Sequence, residues 1–262
     1  MDLGLKGKVA FVMAGSKGLG KGVAMKFAEE GAFVSVVSRD ENNLQKVKDE
    51  IKAKTHVDIL TIKGDVTNKE DLQNAISKTV EKFNTIHILF ANAGGPPSGG
   101  FFDVAVDDYL NAVNLNLMST IYAVYGVKDY MIKQKWGRII ASTSISVKQP
   151  LDNLILSNVS RAGVVAFIKS VSNALATYGI TANVVAPGYT MTERVESLLK
   201  AKVEKEGISF DEAQKSMIAN IPMGRIGTVD EFASTVVYLA SEKASYITGV
   251  VLPIDGGFIK GV

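Results

Sequence analysis

The chain contains no cysteine and only two histidines, His56 and His87, in 262 residues. That excludes a disulfide scaffold and thiol catalysis, and it leaves almost nothing to hold zinc, an iron–sulfur cluster or haem iron, so no metal is expected. Net charge is also scarce. Lys and Arg number 29 against 27 Asp and Glu, a balance of +2 with no clustered basic run, so neither a nucleic-acid partner nor an anionic membrane surface is expected. The N-terminus, with Asp2 and the short apolar run VAFVMA before Gly15, lacks the pattern of a secretory leader, and a cytoplasmic protein is expected. No membrane span is expected either. The longest stretch free of charged side chains, residues 170–192, is interrupted by Tyr178-Gly179, Asn183 and Pro187-Gly188 and reads as a buried helix running into a buried strand. What the sequence does have is enough apolar residue, 47% with a mean hydropathy of +0.16, to build a sizeable core and rule out disorder.

Seven short apolar runs read as strands: VAFVMA (9–14), FVSVV (33–37), VDILTI (57–62), IHILFA (86–91), RIIAST (138–143), ITANVVA (180–186) and VVLPI (250–254). Helical segments lie between them, three opening on capping boxes at Thr67/Glu70, Ser209/Glu212 and Thr228/Glu231. Near-continuous apolar strands alternating with helices imply an α/β protein, a doubly wound seven-stranded parallel sheet covered on both faces, with ligands outside the carboxyl ends of the strands. No composition break marks a second domain, so residues 1–262 read as one. The charge-rich stretch 193–227 is too long for a simple crossover and reads as a mobile helical lid inserted within that domain.

Directly after the first strand comes AGSKGLG, which spaces Gly15, Gly18 and Gly20 around Ser16, Lys17 and Leu19 and opens onto a helix. Glycines allow a tight turn and close backbone approach, while free N–H groups at a helix N-terminus face an anionic pyrophosphate. An acidic residue at the end of the second strand would hold a ribose 2′-hydroxyl. Here stand Ser38 and Arg39, with Lys17 as a second cation. That leaves room and charge for a 2′-phosphate and favours NADP(H) over NAD(H), although Asp40 follows one residue later.

These features resemble the short-chain dehydrogenase/reductase family over essentially the whole chain. GDV (64–66) follows the third strand, NAG (92–94) the fourth, PGYTMT (187–192) the sixth, and IDGG (254–257) stands near the end. The stretch 221–249 is similar to 3-oxoacyl-carrier-protein reductases and sugar dehydrogenases. The resemblance implies a single-domain Rossmann fold and a homotetramer or homodimer. It also implies adenine contacts from Asp65 and Val66, and a cofactor trough lined by Asn92, Ala93 and Gly94. Pro187, Gly188, Thr190 and Thr192 would then lie near the nicotinamide end.

The family's catalytic set is Asn, Ser and a Tyr-x-x-x-Lys pair. Asn falls on Asn116, with Asn114 as the alternative register, and Ser falls on Ser144. The Tyr and Lys positions hold Ser157 and Arg161, inside SNVSRAG. Four residues apart on a helix, they can still face the cofactor together. A serine hydroxyl is a poor acid, and an arginine stays protonated and relays no proton. Three readings follow from that replacement. One is an NADP(H)-dependent oxidoreductase acting on a small carbonyl or alcohol substrate, 3-oxoacyl or sugar-like, in which Ser144 binds the substrate oxygen and Arg161 places the ribose. Its proton would come from water, from the substrate or from Tyr189. The second is an NADPH-binding sensor without turnover, and the third an assembly module with a vestigial site. The loop 93–102 reads as one border of the substrate entrance, in which Phe101 and Phe102 read as members of a packed loop, with an apolar pocket wall as the alternative. Tyr189, Met191 and the lid residues Leu198, Leu199, Met217 and Ile218 read as the other wall.

Overall fold

The computed structural model describes residues 1–261, apart from the side chains of Arg194, Ala201 and Lys205. Seven parallel strands form one sheet in the order β3-β2-β1-β4-β5-β6-β7. They are β1 (Val9–Met13), β2 (Phe33–Ser38), β3 (Leu60–Lys63), β4 (Ile88–Ala91), β5 (Gly137–Ser142), β6 (Ile180–Pro187) and β7 (Val251–Ile254). Strand β3 starts later than the run VDILTI suggests. Helix α2 (Glu41–Thr55) ends on left-handed His56, and residues 57–59 return to the sheet as a connection in which Ile59 is buried without joining the ladder.

Alternate side chains of each strand feed opposite cores. Ala10, Val12, Ile88 and Phe90 meet α1 (Gly18–Glu29), α2 and α9 (Val229–Ala240) on one face. Phe11, Met13, Leu89 and Ala91 meet α3 (Lys69–Phe83), α5 (Ser119–Gln134) and α6 (Ile155–Leu175) on the other. The remaining helices are α4 (Val106–Val113), α7 (Glu193–Glu206) and α8 (Phe210–Ile218). The last two form a small satellite core of Leu199, Ala213 and Ile226. Connections reverse direction between β1 and β4, which opens a crevice at the carboxyl ends of those strands.

Helix starts follow their capping chemistry, with one shift of register. Ser209/Glu212 and Thr228/Glu231 form reciprocal boxes, but α3 is capped by Asn68, whose side chain accepts from the Asp71 N–H. Thr67 instead hydrogen-bonds Asp65 Oδ1 at 2.8 Å. The amide of Asn68 outcompetes the hydroxyl next to it because Thr67 is held in the preceding turn. No helix among the described residues is long and apolar enough to cross a membrane.

His87 is part of the scaffold. Its Nδ1 accepts the Val9 N–H at 3.0 Å, and its ring meets Trp136 edge-on. Burial, helped by the nearby Lys8 charge, pulls its pKa from 6.5 down to about 4. The unfolded chain therefore takes up this proton first as pH falls. The stabilisation is complete above pH 6.5 and is lost as pH drops through about 4. Urea midpoints at pH 7 and pH 4.5 should separate more in the native protein than in His87→Asn, which keeps an acceptor but does not titrate.

Candidate active site

The glycine loop is built at the crevice. Gly18 takes φ +52, which suits a residue without a side chain, and Gly20 lies so close to the Ala14 carbonyl that no Cβ fits between them. Helix α1 begins at Gly18, and Lys17 in the N-cap position carries no acceptor for the first N–H groups. These donors are therefore free for an anion.

At one end of the crevice a cavity of about 470 Å³ is bordered by Ser16, Ser38, Arg39, Asp65 and Val66. Ser16 and Ser38 share a hydroxyl hydrogen bond of 2.7 Å. Arg39, with a side chain 78% exposed, lies 3.8 Å from Asp65, a distance and exposure at which an ion pair is easily exchanged for another anion. Asp40, the acidic neighbour that argues against a 2′-phosphate, is occupied as the N-cap of α2, accepting the Asn43 N–H at 2.9 Å.

A second cavity of about 460 Å³ holds Leu19 of the glycine loop together with Ser144, Ser157, Arg161, Thr190 and Thr192. The two cavities share Ala14, Lys17, Gly94 and Gly95, so they form one trough. At Gly94 a Cβ would meet nothing within 4 Å, which leaves an open face where the halves join. Two linked cavities with a glycine cradle at their junction fit a dinucleotide. Asn92 donates to the Met13 carbonyl at 3.3 Å, and Ala93 follows it into the trough wall. Pro187 and Gly188 continue that wall, with Gly188 pressed against Asp255. Thr192 caps α7 and accepts the Val195 N–H at 3.4 Å.

Arg161 is buried, and its Nη1 donates to the Ser142 and Thr143 carbonyls at 3.1 and 2.9 Å. Nη2 reaches the Gly94 carbonyl at 3.4 Å. Ser144 Oγ accepts the Ser146 N–H at 3.2 Å, and buried Ser157 Oγ lies 3.4 Å from Ser146 Oγ. Asn116 stands in a π-helical turn, Asn114–Met118, and donates Nδ2 to the same Gly94 carbonyl at 3.1 Å. Such turns recur at functional sites because the extra residue redirects a side chain. Asn114 is exposed and reaches the Thr67 carbonyl at 3.5 Å instead.

The expected lid wall is corrected, and the aromatic pair of the opposite loop stays apart from the cavity. Phe101 and Phe102 pack edge-to-face on each other, 71% and 96% exposed, outside the cavity, which is bordered by Gly95 and Pro96 of the same loop. Leu199, Met217 and Ile218 turn into the satellite core with Met191, and Leu198 faces outward, so α7 lends Glu193 and Val195 to the wall instead. Tyr189 borders the cavity, with its ring edge-on to Phe258. Leu154 was not foreseen. A bridge between Gly99 and Leu154 brings it there, a tertiary contact without a local signal.

Among the described residues no cluster could hold a metal ion. A family model described as enoyl-(acyl carrier protein) reductase matches residues 13–259. The chain is 31% identical to an L-rhamnose 1-dehydrogenase (NAD(P)(+)) of Sphingomonas, over 97% of this chain and 96% of that protein. It is 30% identical to the 3-oxoacyl-acyl-carrier-protein reductase of Staphylococcus aureus, over 95% and 97%. The solved L-sorbose reductase of Gluconobacter frateurii, complexed with NADPH and L-sorbose, superposes with a TM-score of 0.97 at 28% identity, covering 100% of both chains.

Proposed function

Because the chain belongs to the short-chain dehydrogenase/reductase family, we propose that it is an NADP(H)-dependent oxidoreductase of a small carbonyl or alcohol substrate, 3-oxoacyl or sugar-like, with an unusual Ser/Arg site. The observation that carries this reading is the single trough joined at Gly94, with Ser38 and Arg39 at one end and Ser144, Ser157 and Arg161 at the other. The dinucleotide, when bound, supplies or accepts the hydride. Gly15, Gly18 and the start of α1 receive its pyrophosphate. Ser16, Lys17, Ser38 and Arg39 surround its 2′-phosphate, and Asp65 and Val66 border the adenine. Asn92, Ala93 and Gly94 line its middle, and Pro187, Gly188, Thr190 and Thr192 its nicotinamide end.

Ser144 donates to the substrate oxygen. Arg161 fixes the carbonyl ends of β4 and β5 and adds positive charge where negative charge develops. Neither Ser157 nor Arg161 serves as a proton donor of suitable pKa, a lack that typically costs about 10² to 10⁴ in rate. Water, the substrate or Tyr189 then provides the proton. Residues 193–227 act as the substrate lid. The working unit is a cytoplasmic homotetramer or homodimer, joined through the exposed apolar residues Leu110, Tyr125 and Val159 of α4, α5 and α6.

The commitment of Arg161 to three backbone carbonyls also supports a second reading, an NADPH-binding protein without turnover that acts as a sensor or assembly module. Mixing the protein with NADPH at single-turnover ratio and then adding ketones, β-keto thioesters and aldoses separates the two. A fluorescence change followed by substrate-dependent oxidation is expected. Binding without oxidation of any compound supports the second reading, and absence of binding removes both the reductase and the sensor.

A further inference from the structure

Ser160 precedes Arg161 on α6 and is 1% exposed, yet no role in the trough falls to it from the family resemblance. Its hydroxyl has two acceptors in reach, the Leu156 carbonyl one turn back at 2.7 Å and Asn116 Oδ1 across the helix interface at 3.0 Å. A serine carries one proton to donate, so the two share it. The helix interface is tight at this point. At Gly163 a Cβ would lie 2.8 Å from Leu117 Cδ2, which brings α6 close against the π-helical turn.

Asn116 transmits what Ser160 fixes. Its amide accepts at Oδ1 from Ser160 and donates at Nδ2 to the Gly94 carbonyl, the same oxygen that receives Arg161 Nη2. Turned by half a rotation, the amide would set Oδ1 against the Gly94 carbonyl, two acceptors face to face. The Gly94 carbonyl, which only accepts, excludes that alternative, and the Ser160 hydroxyl at Oδ1 holds the amide in place from its other side. The backbone carbonyl of Asn116 is held as well, by the Thr120 hydroxyl at 2.8 Å and the Ser119 hydroxyl at 3.3 Å. The main chain of the turn is thus anchored independently, and the position of the amide within it is the degree of freedom left to Ser160.

Gly94 is the joint of the trough, common to both cavities and open on the ligand side. We infer that Ser160 is a positioning residue for the dinucleotide: through the Asn116 amide it fixes the Gly94 carbonyl, and with it the surface on which the middle of the cofactor rests. The inference rests on the proposed cofactor reading. It differs from an ordinary helix hydroxyl bonded to its own preceding turn, which would contribute to α6 alone.

A double-mutant cycle distinguishes the two. NADPH dissociation constants are measured by cofactor fluorescence for the native protein, Ser160→Ala, Asn116→Ala and the double variant, beside the melting temperature of each without cofactor. Ser160→Ala is expected to weaken NADPH about three- to tenfold, the effect of one lost hydrogen bond, and to cause no further loss once Asn116 is Ala. Ser160→Cys, with a weak thiol donor, should fall between Ser and Ala, and it carries the test if the Ala variant does not fold. Unchanged NADPH affinity in the Ser160 variants, or the same fold-loss with Asn or Ala at 116, overturns the inference while leaving the cofactor reading intact. A native protein that binds no NADPH overturns both.

Discussion

Replacing Arg161 with Met is expected to lower turnover of a confirmed substrate by about 10²- to 10³-fold, the effect of removing one preorganised group from a developing oxyanion. The same change should cost stability. Arg161 satisfies the Ser142 and Thr143 carbonyls at the end of β5, and leaving two buried acceptors without donors costs about 2 to 4 kcal/mol. The Gly94 carbonyl keeps its second donor, Asn116, so the trough is not expected to collapse. Urea unfolding and steady-state kinetics on the same preparation separate the two losses. Arg161→Lys keeps the charge without the planar fork, and it should recover more of the turnover than of the stability. A Met variant with native turnover would remove Arg161 from the mechanism.

Ser38→Asp carries the second large effect, an inversion of cofactor preference. The Ser38 hydroxyl borders the adenine-end cavity beside Arg39 and is bonded to Ser16. A carboxylate placed there would face the proposed 2′-phosphate at short range and could still accept from Ser16. Repulsion of about 3 kcal/mol corresponds to roughly a hundredfold weaker NADPH binding. NADH, whose ribose hydroxyl can donate to the new carboxylate, should bind as well as before or better. Titrating both cofactors into both proteins checks the sign directly. Equal losses for NADPH and NADH would show that the substitution had only disturbed β2.

The parts legible in the sequence were those with short-range causes. Apolar runs located all seven strands because a strand covered on both faces must be apolar along its length, and the glycine loop showed through the turn it has to make. Four kinds of detail were not legible. The choice between Thr67 and Asn68 as a cap depended on what else held Thr67. The π-helical turn at Asn116 has no residue signature, since Asn, Leu and Met fit an α-helix equally well. Composition left Phe101 and Phe102 open between a packed loop and a pocket wall, and in the loop that bridges to Leu154 through Gly99 both rings stand exposed. Leu199, Met217 and Ile218 were assigned to the substrate when α7 and α8 needed them for each other. For the aromatic pair and the lid residues a tertiary contact decided between options that local chemistry left equal.

Both feet of the segment 193–227 stand on one element. Its beginning, at Thr192, lies against Gly18, where a Cβ would be 3.7 Å from the threonine methyl, and just past its end Val229 packs directly on Gly22. The segment is a handle riveted at both ends to the helix that follows the glycine loop. Closing a longer or shorter handle between fixed rivets changes loop entropy only slowly with length. An exchange of the handle therefore leaves the sheet, its register and the glycine loop in place and remakes the cavity wall that Glu193 and Val195 supply, so new substrate walls can be tried on the same chassis.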